Sequence, residues 1–216
     1  MHALRGGPTR GVRLATLVAT ALCAAAPLAA QVPAGWLLSG ANADLYRMRV
    51  DRDVARSGEA SLRLEARGNR RNDEWAVAVQ LIDAAPWRGQ RIRLSGHLRS
   101  DDLGSGGLWL RVDGILDGEA AQLVVDNAED RRVSDETDWT LQEIVVDVPA
   151  ESVTILFGAM INGDGELWVD GLTLEPAPDA DVTAEVTNTV LGGEYQRPLG
   201  MLPTPVNLDF EIELEG

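Results

Sequence analysis

The chain has 216 residues, enough for one large domain or two small ones. It carries 34 acidic residues against 19 basic ones, all of them arginine, for a formal net charge of −15. That balance repels phosphate backbones and anionic lipid, so nucleic acid and membrane surfaces are disfavoured as partners.

Residues 1–30 read as a cleaved secretory signal. Arg5, Arg10 and Arg13 form a basic leader, Leu14 to Leu28 is apolar and alanine-rich, and Ala29-Ala30 offers small residues for cleavage before Gln31. The apolar run is too short and too small-residued for a comfortable membrane span. Cys23 follows Leu22 where a lipoprotein signal wants a small residue, so it belongs to the discarded segment. Removing the three arginines takes the net charge to −18 and leaves neither cysteine nor lysine. A secreted or periplasmic domain of this kind has no disulfide and depends on its core.

From Gln31 the segment Val-Pro-Ala-Gly-Trp36 is a turn that delivers one tryptophan. Leu45 to Val50 is a strand with Tyr46, Met48 and Val50 on one face, and Ala60 to Ala66 is another with Leu62 and Leu64 inward. Glu74 to Ile82 follows, then a turn at Pro86-Trp-Arg-Gly89. Arg91 to Ser100 alternates Ile92, Leu94, Gly96 and Leu98 against Arg91, Arg93, Ser95, His97 and Arg99. The organising stretch is Gly107 to Glu175. There Leu108, Leu110 and Val112 alternate with Trp109, Arg111 and Asp113, and Gln122 to Asp126 forms the next run. Trp139 then opens Thr140 to Val148, and Ser152 to Ile161 meets Gly165 to Glu175 across Asn162-Gly-Asp-Gly, which reads as a hairpin. Strands at this spacing predict a β-sandwich over residues 31–175. Residues 176–205 read as a linker wrapping the domain, with a short helix over Val182 to Val190 ended by Gly192-Gly193. The tail from 206 to 216 alternates Leu208, Phe210, Ile212 and Leu214 against polar positions, as a strand returning to the same sandwich does.

The pattern resembles the jelly-roll, carbohydrate-binding-module-like (galactose-binding-like) accessory domain of secreted bacterial proteins. It looks especially like the one attached to tail-specific peptidases and erythromycin-esterase-like hydrolases. The matching pieces include Pro33-Ala-Gly-Trp36, Ser57-Gly-Glu-Ala-Ser-Leu62, Gly107-Leu-Trp-Leu-Arg-Val-Asp-Gly114, Thr137-Asp-Trp139 and Gly163-Asp-Gly-Glu-Leu-Trp-Val-Asp170. Such domains open with a short Asn-x-x-Phe-Glu strand, and here that motif stands at the C-terminus as Asn207-Leu-Asp-Phe-Glu211. Two arrangements account for this: a circularly permuted jelly roll completed by its last strand, or a second module cut short.

Little in the sequence points to catalysis. His97 is the only histidine after the signal, no Gly-x-Ser-x-Gly elbow exists, and adjacent acid pairs such as Asp101-Asp102 read as solvated loops. Trp139 and Trp168 read as packing corners. The informative face carries Trp109, Arg111 and Asp113. If the strands pair as in the family, Gln80, Arg93, His97 and Asp126 join it, and a ring beside planar hydrogen-bonding groups suits a sugar. The competing reading is an Arg–Asp network inside the sandwich with Trp109 in the core. The resemblance also implies a structural calcium ion held by Asp53 and its turn, Asp170 and Glu211, with water completing the shell. The expectation is therefore a non-catalytic binding module for a glycan or similar polar ligand. The alternatives are a structural or protein-interaction module and an accessory fragment of a hydrolase.

Overall fold

The computed structural model describes residues 32–214; the expected signal, Cys23 and the Gln31 cleavage point lie outside the described residues. Ten strands run in chain order: β1 Leu37–Ser39, β2 Tyr46–Asp51, β3 Ser61–Ala66, β4 Trp75–Asp83 and β5 Arg91–Leu116, then β6 Glu119–Asp126, β7 Val133–Asp147, β8 Ser152–Asn162, β9 Glu166–Pro176 and β10 Glu185–Val190. Two three-residue 3-10 turns, Ala43–Leu45 and Ala85–Trp87, are the helical content among the described residues. Every strand pairing is antiparallel.

The chain is an all-β jelly-roll sandwich. One sheet runs β1-β4-β8-β5-β6-β10 and the other β2-β3-β9-β5-β7. β5 belongs to both. Its first half pairs with β9 and β7, and its second half with β8 and β6. The sequence reads as two strands here because Asp101 to Gly106 breaks the apolar alternation. The strand nevertheless continues through that stretch and bends, with Asp102 left-handed at φ +47° and register shifts against β7 between Leu98 and Gly106. Gly104 lets the Asn162–Gly165 turn come close, because a Cβ there would sit 2.7 Å from the Asn162 carbonyl oxygen.

The inward side chains are those the alternation selected. Tyr46, Leu62, Leu64, Leu94, Leu98, Leu108, Leu110 and Phe157 are all fully buried in one contiguous core. Each buried side chain of this size contributes about 1.5–3 kcal/mol relative to exposure. The Tyr46 hydroxyl is satisfied by the Glu74 carbonyl at 2.8 Å and the Gly163 carbonyl at 3.0 Å.

Three expectations are corrected. β8 and β9 do not form a hairpin: β8 pairs with β4 and β5, β9 with β3 and β5, so the Asn162–Gly165 turn arches from one sheet to the other. Asn-Gly chemistry sets positive φ at the glycines, here +73° at Gly163 and +90° at Gly165, but not which strands then pair. Second, Val182 to Val190 holds no helix; Glu185–Val190 is strand β10 on the edge of β6. Its Val and Thr residues favour extended backbone, and Thr183 anchors it by accepting from Val145 N–H at 2.9 Å and donating to Asp126 at 2.7 Å. Third, the tail does return to the sandwich, but as an irregular segment with a single bridge between Pro33 and Glu213. Phe210 is fully buried and Leu208 packs half-buried against the core, while Ile212 and Leu214 are more than half exposed, so the expected alternation holds only for its first half.

Candidate functional site on the outer face of the first sheet

In an antiparallel ladder, residues opposite one another share a face. On β4, Trp75, Val77, Val79 and Leu81 point outward, opposite Asn162, Met160, Gly158 and Leu156 of β8. On β5, Ser105, Gly107, Trp109, Arg111 and Asp113 continue the same rows. Val77, Val79, Leu81 and Met160 are buried in a second, smaller apolar cluster, against which the half-buried Trp75, Trp109, Leu156 and Met201 pack. The sheet thus has an apolar outer side as well as a core side. Gly158 leaves a bare stretch of backbone between Val79 and Trp109.

Polar groups border this floor. Arg111 grips Asp113 bidentately, Nε to Oδ1 at 2.6 Å and an Nη to Oδ2 at 2.8 Å. Burial pushes the Asp113 carboxyl up from its ordinary value, against the opposing pull of Arg111. Asn162 stands beside Trp75 with its Oδ1 buried and without a hydrogen-bond partner. The Arg132 guanidinium reaches Met160 Sδ at 3.7 Å and borders the face on the side of Gly107. At the Asp113 end the buried Thr154 receives Tyr195 and Met201 from the segment after β10.

Of the residues expected to gather on one face, the fold brings Trp109, Arg111 and Asp113 together and separates the others. Arg93 and His97 lie on the half of β5 that belongs to the second sheet, so their side chains stand on the opposite side of the molecule. Arg93 there pairs with Glu175 at 2.6 Å and Glu143 at 3.3 Å. His97 sits opposite Asp170, and burial followed by the Arg56 charge lowers its pKa while Asp170 opposes them. Gln80 is fully buried on the core side, where its amide clamps both N–H and C=O of Val206 at 2.9 Å. Asp126 is buried at the β6 edge, capping Ala128 N–H at 2.7 Å and pairing with Arg131 and Thr183. None of these four stands on the outer face of the first sheet.

The second sheet's outer side carries a polar network. Trp168 lies between the guanidinium groups of Arg63 and Arg99, 5.2 and 5.9 Å from its ring, and its Nε1–H donates to Asp51 at 3.0 Å. Arg49 and Arg63 complete the ring of charge around Asp51.

The expected calcium ligands divide. Asp170 accepts from the backbone N–H groups of Arg56 and Ser57 at 2.8 and 2.9 Å. Glu211 accepts from those of Glu59 and Ala60 at 2.7 and 3.2 Å, so both acids hold one turn. Asp53 has an exposed side chain and gives only its N–H, to Asp51 at 3.0 Å. Among the described residues no group of three acids or histidines is gathered for a metal ion. Asp170 Oδ1 is buried and without a hydrogen-bond partner.

Trp75, Asn162, Tyr195 and Met201 were not legible as site residues. One signal was present for Trp75: Trp-Ala-Val-Ala-Val-Gln-Leu-Ile is apolar at both parities, the mark of a strand covered on both faces.

The class these features define is a β-sandwich module with one aromatic outer face. No protein-family model matches the chain. One curated relative, the uncharacterized HTH-type transcriptional regulator YbfP of Bacillus subtilis (strain 168), is 34% identical over 182 residues. The match takes in 84% of this chain, and the chain spans only 58% of that relative's length. Similar solved structures include the CBM22-1 xylan-binding domain from Paenibacillus barcinonensis Xyn10C, with 15% identity, TM-score 0.49, and coverage of 69% of this chain and 90% of that one. The C-terminal family 22 carbohydrate-binding module of Clostridium thermocellum Xyn10B follows at 11% identity and TM-score 0.48, covering 68% and 89%. The fold described above rests on the strand pairing itself.

Proposed function

We propose that the chain is a non-catalytic binding module whose outer face, floored by β4, β8 and β5, takes a glycan. The observation that supports this most is the pair of half-buried tryptophans, Trp75 and Trp109, on an apolar floor with Arg111, Asp113 and Asn162 at its borders. Sugar rings present apolar C–H faces to aromatic rings and hydroxyls to planar polar groups, and this surface offers both. The Paenibacillus barcinonensis domain named above is a xylan-binding domain; for this chain the proposal stands on the face alone. The test is pull-down and calorimetry against a panel of soluble polysaccharides, xylan among them. Binding by the intact chain and its loss in Trp109→Ala, at unchanged far-ultraviolet circular dichroism, is the expected result. No binding to any of the panel overturns the reading.

A DNA-binding role has no support in the described residues. They hold no α-helix for a major groove, and the chain is strongly acidic. No helix among them is long and apolar enough to cross a membrane.

Two accessory proposals accompany the main one. Export rests on the sequence of residues 1–30, and a mature N-terminus at Gln31 in the exported protein is the expected mass-spectrometric result. A calcium ion at the Arg56–Ala60 turn is supported by the partnerless Asp170 Oδ1; Asp170 and Glu211 would hold it, and its chemistry there is structural cross-linking. A melting temperature unmoved by calcium or by EDTA removes that proposal.

A further inference from the structure

After β10 the chain crosses the outer face of the first sheet from the β6 edge to the β4 edge. It leaves where Gly193 C=O accepts from Ala120 N–H at 2.9 Å. It lands where Leu202 N–H donates to Leu81 C=O at 2.8 Å and Leu202 C=O accepts from Asp83 N–H at 2.9 Å. Between these moorings, residues 194–201 make no backbone–backbone hydrogen bond among the described residues. Most of their side chains are exposed, Leu199 to 94%.

Left-handed glycines stand at both ends of the segment. Gly192 and Gly193 have φ of +81° and +76°, and Gly200 has +80°. A Cβ on Gly192 or Gly193 would meet nothing within 4 Å, so crowding does not explain the glycines and conformation does. Two side chains hold the segment down, and both reach the same atom. Tyr195 O–H pairs with Thr154 Oγ1, and Thr154 Oγ1–H points to Met201 Sδ at 3.3 Å. Thr154 is fully buried beneath them, in the row that also contains Asp113.

We propose that residues 194–201 form a hinged strap that opens and closes the Arg111–Asp113 end of the outer face, with the Thr154 hydroxyl as its catch. Opening breaks only the tyrosine and methionine contacts and leaves both moorings and every strand intact. Closed, the strap lies at the Asp113 end of the floor, where the Asp113 side chain is 15% exposed; open, it leaves that carboxylate freer to solvent. The consequence for ligand entry rests on the binding reading above, whereas the hinge and its catch do not.

Thr154→Val tests this directly, since it keeps the shape of the side chain and removes the catch. Two readouts need no ligand: the rate of chymotryptic cleavage within residues 194–201, and carbodiimide–amine labelling of the Asp113 carboxylate, with exposed Asp117 as internal reference. Both are expected to rise by between about twofold and tenfold over the wild type, the range set by losing one ordinary hydrogen bond, while hydrogen–deuterium exchange in β8 stays unchanged. Wild-type rates for both readouts in the variant overturn the proposal. So does a wild-type strap that chymotrypsin leaves as intact as β8. If Thr154→Val does not fold, Tyr195→Phe combined with Met201→Ala, both on the half-buried strap, carries the same expectation. A strap that passes these tests on a chain that binds no polysaccharide leaves the hinge standing and removes the glycan reading.

Discussion

Phe210 offers the sharpest test of how the tail holds the sandwich together. It is fully buried, with its ring centroid 5.1 Å from that of Trp36, which in turn meets Phe157 edge-on at 5.9 Å. Its backbone is left-handed at φ +61°, in a turn that Asn207 ties by bonding Ile212 N–H at 2.9 Å and Ile212 C=O at 2.7 Å. Phe210→Ala removes the ring but keeps the Cβ, and a buried Phe→Ala change costs about 3–5 kcal/mol. For a chain of this size that lowers Tm by on the order of 10 °C. Phe210→Gly removes the same ring and also relieves a left-handed strain of roughly 1–2 kcal/mol. Glycine is normally less stable than alanine by about 0.5–1 kcal/mol; here it should match or exceed it. Urea unfolding followed by tryptophan fluorescence measures both variants against the wild type. A loss below about 1 kcal/mol for Phe210→Ala would show that the ring is dispensable to the core, well short of the Phe→Ala range. A glycine variant clearly weaker than the alanine one would refute the strain argument.

Two further predictions concern pH. Burial, ahead of the nearby Glu74 charge, pushes the Tyr46 hydroxyl up to about 12. Its folded pKa exceeds its unfolded one, so its contribution is complete below the unfolded value and fades as pH climbs through about 12. Ultraviolet titration of phenolate should lose its latest step in Tyr46→Phe, and that variant should be less stable at neutral pH by about 1 kcal/mol. Asp51 runs the other way: burial raises its pKa, but Trp168 Nε1–H, Asp53 N–H, Arg49 and Arg63 outweigh it and hold the carboxyl below its ordinary value. Stability from Asp51 is therefore present above the unfolded pKa and lost as pH falls through the folded one. Asp51→Asn should be less stable at pH 7 by roughly 1–3 kcal/mol, with the gap closing under acid; a gap constant across pH would contradict the assignment.

The fold was legible where period two was clean. β2, β3 and both halves of β5 place the expected side chains in the core, because alternation encodes which face is inward. Pairing was not legible, since alternation carries no information about partners. The Asn162–Gly165 turn could equally join neighbours in one sheet or arch between two, and the bend in β5 decided it. That same bend is why Arg93 and His97, read as companions of Trp109, stand on the far side. Gln80 shows a different limit. A glutamine in an apolar strand looks like a polar handle, and only the returning tail at Val206 reveals that it is satisfied inside. The tail motif itself was readable through Phe210, but its irregular backbone was not, because left-handed φ at Asn207 and Phe210 leaves no signature in hydrophobicity.

The passage of β5 through both sheets has a consequence for how the molecule comes apart. Neither leaf can peel away and leave its neighbour intact, for each would have to surrender half of a central, doubly paired strand. Loss of order anywhere along those 26 residues is shared across the whole body, which should melt in a single all-or-none step. The strap and the short edge strand are then the places left to move while everything else stays put.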